Sequence, residues 1–198
     1  SNLMKYFIYV INGNTVGNVP SSFELPLNTD IARLKNAISD ALDAHPALKG
    51  TVDMKKAVIC RHDDAENVIN IIETTEAEWA NIKDHLVTPF TYKPDEILYH
   101  IDIYKTEKAV YLRIDLSHAV SDGVSLGMFI REISRAYDGE KPEREKMTFY
   151  EYLLDESERM KNGSYERDGE KLADIYKGIK IGGSLLNLDH GMDLNKII

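Results

Sequence analysis

The chain of 198 residues carries 24 Lys and Arg against 33 Asp and Glu, a formal net charge of -9, and 43% of it is hydrophobic. Such a length buries the core of one domain, or of one half of a larger pseudo-symmetric one. The acidic balance disfavours nucleic acid, whose phosphates the average surface would repel, and leaves a small or neutral ligand as the expectation. The single cysteine, Cys60, excludes an internal disulfide and a cysteine-rich metal cage, suits a reducing cytoplasm, and reads as a small buried hydrophobe. No apolar run approaches the roughly 18 residues of a membrane span. Met4 to Ile11 is too short for a signal peptide and contains Lys5. A cytoplasmic protein that does not enter a membrane is expected, and Ser1-Asn2 reads as a cloning scar ahead of a start at Leu3 or Met4.

Along the chain, Lys5 to Ile11 reads as a strand closed by the turn pair Asn12-Gly13, and Ser22 to Leu27 as a second strand. The period then changes: Ile31, Leu34, Ile38, Ala41 and Leu42 form a helical stripe behind the capping side chains of Asn28 to Asp30, and His45-Pro46 stops it. Three strands follow around Leu48 to Asp53, Ala57 to Arg61 and Val68 to Ile72, expected as an antiparallel meander with polar turns such as His62-Asp63-Asp64. Thr75 and Glu78 make a capping-box pattern before Trp79, Ile82 and Leu86, a helix ending near Thr88-Pro89 with Trp79 in the core.

The clearest two-residue period comes next. Ile97, Tyr99, Ile101 and Ile103 alternate with Leu98, His100, Asp102 and Tyr104. After a turn at Thr106 to Lys108, Val110, Leu112, Ile114 and Leu116 alternate with Tyr111, Arg113, Asp115 and Ser117. The polar set His100, Asp102, Arg113 and Asp115 is expected on a shared, solvated face. Leu126, Phe129, Ile130, Ile133 and Tyr137 then recur at helical spacing and close at Gly139. A charged segment from Glu140 to Lys146 leads to a second capping box, Thr148 with Glu151, and a helix to about Lys161 closed by Asn162-Gly163. A last helix runs from Tyr165 to Lys177 and ends at Gly178, after which no period is visible. The irregular order of strands and helices predicts an α+β two-layer sandwich: a mixed, largely antiparallel sheet with helices on one face.

Chemistry points to His118, placed where the strand runs out and a helix begins. An imidazole with an ordinary pKa of about 6.5 is largely neutral at pH 7 and able to accept a proton, the requirement for a general base. Asp122 is placed to fix the loop or the imidazole, and Gly123 to permit a tight passage that a side chain would obstruct. The plainer alternative is a core histidine followed by an N-capping aspartate. His62, Asp63 and Asp64 read as a turn with no metal, and the cations from Lys141 to Lys161 as a solvated surface.

The segment Ser117-His118-Ala119-Val120-Ser121-Asp122-Gly123-Val124-Ser125 resembles the HHxxxDG signature of nonribosomal peptide synthetase condensation domains and of the wider chloramphenicol acetyltransferase-like superfamily. Ala44-His45-Pro46-Ala47-Leu48-Lys49 is similar to the family's Arg-His-Glu-x-Leu-Arg pattern. Thr88-Pro89-Phe90 followed by Leu98 to Tyr104 is similar to its Pro-Phe-Asp segment and next strand, and Thr148 to Leu154 to its Tyr-rich helix. The likeness covers about residues 21 to 178. It implies a chloramphenicol acetyltransferase-like half domain over residues 3–178, with 179–198 as a tail or the start of a connection to a missing second half.

What the resemblance implies chemically is acyl transfer to an amine or hydroxyl from a phosphopantetheine or coenzyme A thioester, with no metal and no tightly bound cofactor. His118 would be the catalytic base, Asp122 its loop support through a salt bridge, and Ser117, Gly123 and Ser125 the supporting motif positions. Three features depart from the pattern. Ser117 replaces the first histidine; Ala44 and Lys49 replace the upstream arginines, leaving Lys49 as the candidate partner of Asp122; and only the first of two halves is matched. The implied partners are an acyl or peptidyl carrier protein and a second half or another subunit, without which this chain is expected to be inactive. A non-catalytic carrier- or partner-binding module and a coenzyme A-dependent O-acyltransferase remain open.

Overall fold

The computed structural model describes residues 15–53, 55–56 and 58–177. The predicted strand Lys5 to Ile11, its turn Asn12-Gly13, Ser1-Asn2 and the segment from Gly178 onward lie outside the described residues. In chain order the elements are β1 (Asn18–Pro26), α1 (Ile31–Ala44), β2 (Thr51–Asp53), β3 (Val58–Cys60), β4 (Asn70–Glu73), α2 (Glu76–Ile82), β5 (Tyr99–Lys105), β6 (Ala109–Ser117), α3 (Gly123–Tyr137), α4 (Phe149–Lys161) and α5 (Ser164–Ile175). Contacts divide the chain after Tyr152 into two units.

In the first unit, the two strands with the cleanest alternation form the middle of the sheet, whose order is β1-β6-β5-β4. Their antiparallel register sets Leu116 opposite Tyr99, Ile114 opposite Ile101 and Leu112 opposite Ile103. Along the middle of the sheet one face is thereby apolar. Leu34, Ile38, Ala41 and Leu42 of α1 and Leu126, Phe129 and Ile133 of α3 bury against it in one core cluster, each fully buried Leu or Ile contributing about 1.5–3 kcal/mol. The expectation of a mixed sheet with its long helices on one face holds.

The expected meander does not form. β2 and β3 pair as a separate hairpin, while β4 runs parallel to β5 with Asn70 opposite Asp102. Alternation marks a strand but carries no information on its partner, and the parallel pairing follows from the crossover through α2. Leu48 also leaves its predicted strand for the 3-10 turn Pro46–Lys49, since the fixed φ of Pro46 suits the first position of a helical turn. Cys60 is half-buried at the end of β3.

The second face of the sheet overturns the expectation of a solvated polar surface. Arg113, Asp102 and Asp115 are buried, with Arg113 Nη1 donating to Asp102 Oδ2 at 2.6 Å and Nη2 to Asp115 Oδ2 at 3.1 Å. Aromatic rings flank them. Trp79 of α2 stacks on Tyr111 at 4.4 Å between centroids, and Phe90 stacks on His100 at 4.6 Å. The alternation placed these polar groups on one face correctly. The cover came from the segment between β4 and β5, and mutual pairing allows the charges to lie under it.

Helix ends follow local chemistry closely. Asp30 accepts from the Arg33 amide, Thr75 and Glu78 complete a capping box, and Thr148 and Glu151 exchange the same bonds. Gly139 and Gly163 take φ of 98° and 73°, the left-handed region favoured past a helix end. In the second unit α5 buries none of its described side chains, and Arg159 stands over the Tyr165 ring at 5.5 Å.

His45 does more than stop α1. Its Nε2–H donates to Glu132 Oε2 of α3 at 2.7 Å and its Nδ1–H to Glu145 Oε1 at 2.5 Å. Donation from both nitrogens requires the imidazolium form. Burial opposes that charge, but the hydrogen bonds to Glu145 and Glu132 outweigh it and raise the pKa above the ordinary histidine value. A raised folded-state pKa gives stability that is complete below the unfolded value of about 6.5 and lost as pH rises through the folded one. The midpoint of thermal unfolding is therefore expected to fall from pH 6 to pH 9 by more in the native chain than in His45→Gln, as calorimetry at the two pH values would read. Arg113→Met, which strands two buried carboxylates, is expected to lose about 3–5 kcal/mol in urea unfolding.

Candidate active site

β6 stays buried to its last residue and then releases the chain. Ser117 is fully buried, whereas His118, the next residue, is exposed. The backbone around this step is fixed on several sides: Ser117 N–H donates to the Leu98 carbonyl at 2.9 Å, and His118 N–H to the Gly17 carbonyl at 2.8 Å. The Ser117 carbonyl accepts from the Val120 amide at 3.1 Å and from Ser121 Oγ at 2.9 Å. Its hydroxyl accepts from the Ala119 amide at 3.2 Å and shares a hydrogen bond of 2.9 Å with the Tyr92 phenol. His118 is thus no core histidine: the last bonds of the sheet turn it outward.

Asp122 follows as the N-cap of α3. Its Oδ1 accepts from the Ser125 amide and the Ser125 hydroxyl, both at 2.7 Å. The Ser125 amide first, then its hydroxyl, hold the Asp122 carboxyl below the usual carboxylate range, with a smaller contribution from the charge of His118. Ser125 therefore completes the cap. At Gly123 a Cβ would meet nothing within 4 Å, so the expectation that a side chain there would obstruct the turn is corrected: the space before the helix is open.

Lys49 is not brought to Asp122. Its nearly buried ammonium lies 2.5 Å from Asp43 Oδ1 and donates to the carbonyls of Asp63 at 3.2 Å and Ala65 at 3.1 Å. The 3-10 turn that replaces the start of the predicted strand directs it back toward α1 and the loop after β3, while Asp122 is satisfied within its own helix. His62 Nε2 meets Thr51 Oγ1 at 3.0 Å, and Asp63 pairs with Arg61 and Arg144. Among the described residues no group of His, Cys, Asp and Glu has the geometry of a metal site, and no helix is long and apolar enough to cross a membrane.

Tyr92 was not singled out in the sequence, although the Thr88-Pro89-Phe90 segment just before it was. It is buried, with φ of 51°, a left-handed conformation that costs a bulky residue about 1–3 kcal/mol. Its ring joins Phe90, Val52 and Leu98 in a small cluster against which Ala119 and Val120 pack. A cavity of about 340 Å³ lined by His85, His100, Asp102 and Arg113 lies on the outer sheet face, and His118 is not among its lining residues.

Residues 6–170 match the condensation-domain family model. The chain belongs to the condensation-domain family. It is 28% identical over 163 residues to surfactin synthase subunit 1 of Bacillus subtilis (strain 168), covering 80% of this chain and 4% of that protein. With surfactin synthase subunit 2 of the same organism it is 26% identical over 177 residues, or 86% of this chain and 5% of the relative. Among solved structures, the starter condensation domain of rhizomide synthetase RzmA superposes with a TM-score of 0.68 at 11% identity, covering 90% of this chain and 48% of that one. This condensation-domain chain therefore has the chloramphenicol acetyltransferase-like fold, and it spans a small fraction of the synthases and under half of the solved domain.

If Asp122 acts as the cap, Asp122→Ala is expected to destabilise by about 0.5–2 kcal/mol and Asp122→Asn by a small part of that. Denaturant titration of the two variants measures the difference.

Proposed function

We propose that this chain is the N-terminal half of a condensation-type acyltransferase in which His118 serves the acceptor. The observation that carries the reading is the exposed imidazole directly after the fully buried Ser117 that ends β6, on a turn held by hydrogen bonds from both sides. An amine or hydroxyl placed beside it gives up its proton to the ring as its lone pair attacks the thioester carbonyl. A C–N or C–O bond forms, the C–S bond breaks, and the departing thiolate takes a proton. Holding acceptor and thioester together at one histidine is worth up to about 7–11 kcal/mol of the barrier, and the proton transfer roughly 10²- to 10⁴-fold in rate.

Asp122 supports this arrangement by fixing the first turn of α3, in place of the salt bridge expected for it. Exposed apolar groups follow on the same helix, Val124 at 73% and Met128 at 47%, and they favour a second half facing this one. Such a wall would exclude water from the reacting thioester. Membership of the condensation-domain family favours a phosphopantetheine arm on an acyl or peptidyl carrier protein over free coenzyme A as donor.

In the complete gene product, His118→Ala is expected to lower thioester-dependent acyl transfer roughly 10²- to 10⁴-fold with the carrier still bound. Unchanged turnover would remove the role. A second reading, a non-catalytic carrier-binding module, draws on the serine at position 117 and on the engagement of Lys49 elsewhere. Carrier binding without turnover in the complete native protein would favour it.

A further inference from the structure

We propose that Tyr92 is the positioning residue of the His118 turn: through Ser117 its phenol holds the strand-to-helix passage in the shape that presents the imidazole. The inference rests on the reading of His118 as the acyl-transfer histidine. Ser117 offers one hydroxyl, with a single donor and two acceptor sites. Two groups converge on it at full burial, the Tyr92 hydroxyl at 2.9 Å and the Ala119 amide at 3.2 Å.

Ala119 is the residue directly after His118, so the orientation of this hydroxyl fixes the peptide on which the imidazole's backbone ends. A hydroxyl at this depth that loses its phenol partner is left partly unsatisfied, and a rotamer change to find another would release the Ala119 amide. Tyr92 supports the same turn from its apolar side. Its ring lies in the cluster of Val52, Phe90 and Leu98 on which Ala119 and Val120 pack.

The left-handed backbone of Tyr92, φ 51°, lies in a turn whose Thr91 and Lys93 amides, on either side of it, both donate to the Glu96 carboxylate. That turn fixes the main chain while the buried ring and the bonded hydroxyl fix the side chain, and strain of this kind concentrates where geometry is being specified. The position that the signature gives to a histidine is here a serine, and the phenol reaches the space that the smaller side chain leaves. Ser117 and Tyr92 therefore act as one unit.

The test compares the unsubstituted 198-residue chain with Tyr92→Phe and Ser117→Ala by the 1H–13C signals of the histidine rings, His118 being assigned from His118→Gln. In Tyr92→Phe the His118 signal is expected to shift or split while that of His62, bonded to Thr51, stays in place. Ser117→Ala, which also frees the Ala119 amide, is expected to move it further. The double variant should equal Ser117→Ala alone, since the two groups share one interaction. The melting temperature of Tyr92→Phe is expected to fall by about 2–4 °C, the loss of one buried hydrogen bond.

A melting temperature lowered in both variants with the His118 signal unmoved would overturn the proposal and leave Tyr92 as a packing residue. Transfer activity enters separately. In the complete gene product, Tyr92→Phe is expected to lower kcat several-fold with KM unchanged. Activity that survives His118→Ala defeats the functional reading instead, and the ring signals still decide the positioning.

Discussion

The antiparallel register of β5 and β6 is the constraint from which the rest of the first unit follows. With Leu116 opposite Tyr99 and Ile114 opposite Ile101, every second side chain of both strands faces α1 and α3, and the remainder face the segment that crosses from β4 to β5. A slip of one residue would exchange the two sets and carry Arg113 and Asp115 into the apolar core. The same register ends β6 at Ser117, opposite Asn18 of β1, and so fixes the place at which His118 leaves the sheet.

The two faces are stabilised by different physics. Under α1 and α3 the surface is aliphatic and its contribution grows with buried area. On the other side, Arg113 lies between Asp102 and Asp115 beneath stacked rings, an arrangement that gains little net stability over a hydrophobic replacement but is severely weakened when one member is lost. Asn18 Nδ2 also donates to Asp115 Oδ2 at 2.9 Å. This polar layer therefore links β1, β5 and β6 on the side of the sheet where Ser117 and Tyr92 meet. Rigidity at the strand end is what a single exposed imidazole needs to hold one orientation.

The structure also redistributes roles among the residues that the family signature brings to notice. Asp122 and Ser125 form a helix cap, Lys49 serves α1 and the loop after β3, and Gly123 faces open space. What remains around His118 is a turn supported from beneath by Ser117, Ala119 and Val120, with apolar groups exposed beyond it on α3. The chain that carries this turn belongs to the condensation-domain family and spans under half of the solved domain it matches.

The sequence by itself determined the features that depend on neighbours in the chain. Alternation from Tyr99 to Ser117 set the two sheet faces, the helical stripes set the buried sides of α1 and α3, and Thr75 with Glu78 and Thr148 with Glu151 set the starts of α2 and α4, because each rests on contacts a few residues apart. The histidine at the junction of strand and helix was legible for the same reason. Only the tertiary structure decided the partner of β4, the burial of Arg113 with its carboxylates, the clamp on His45 and the bond from Tyr92 to Ser117. Apart from Arg113 with Asp115, two positions away on the same strand, these join residues between 11 and 100 positions apart. No local preference encodes such pairs; they exist once the sheet register has brought their elements together.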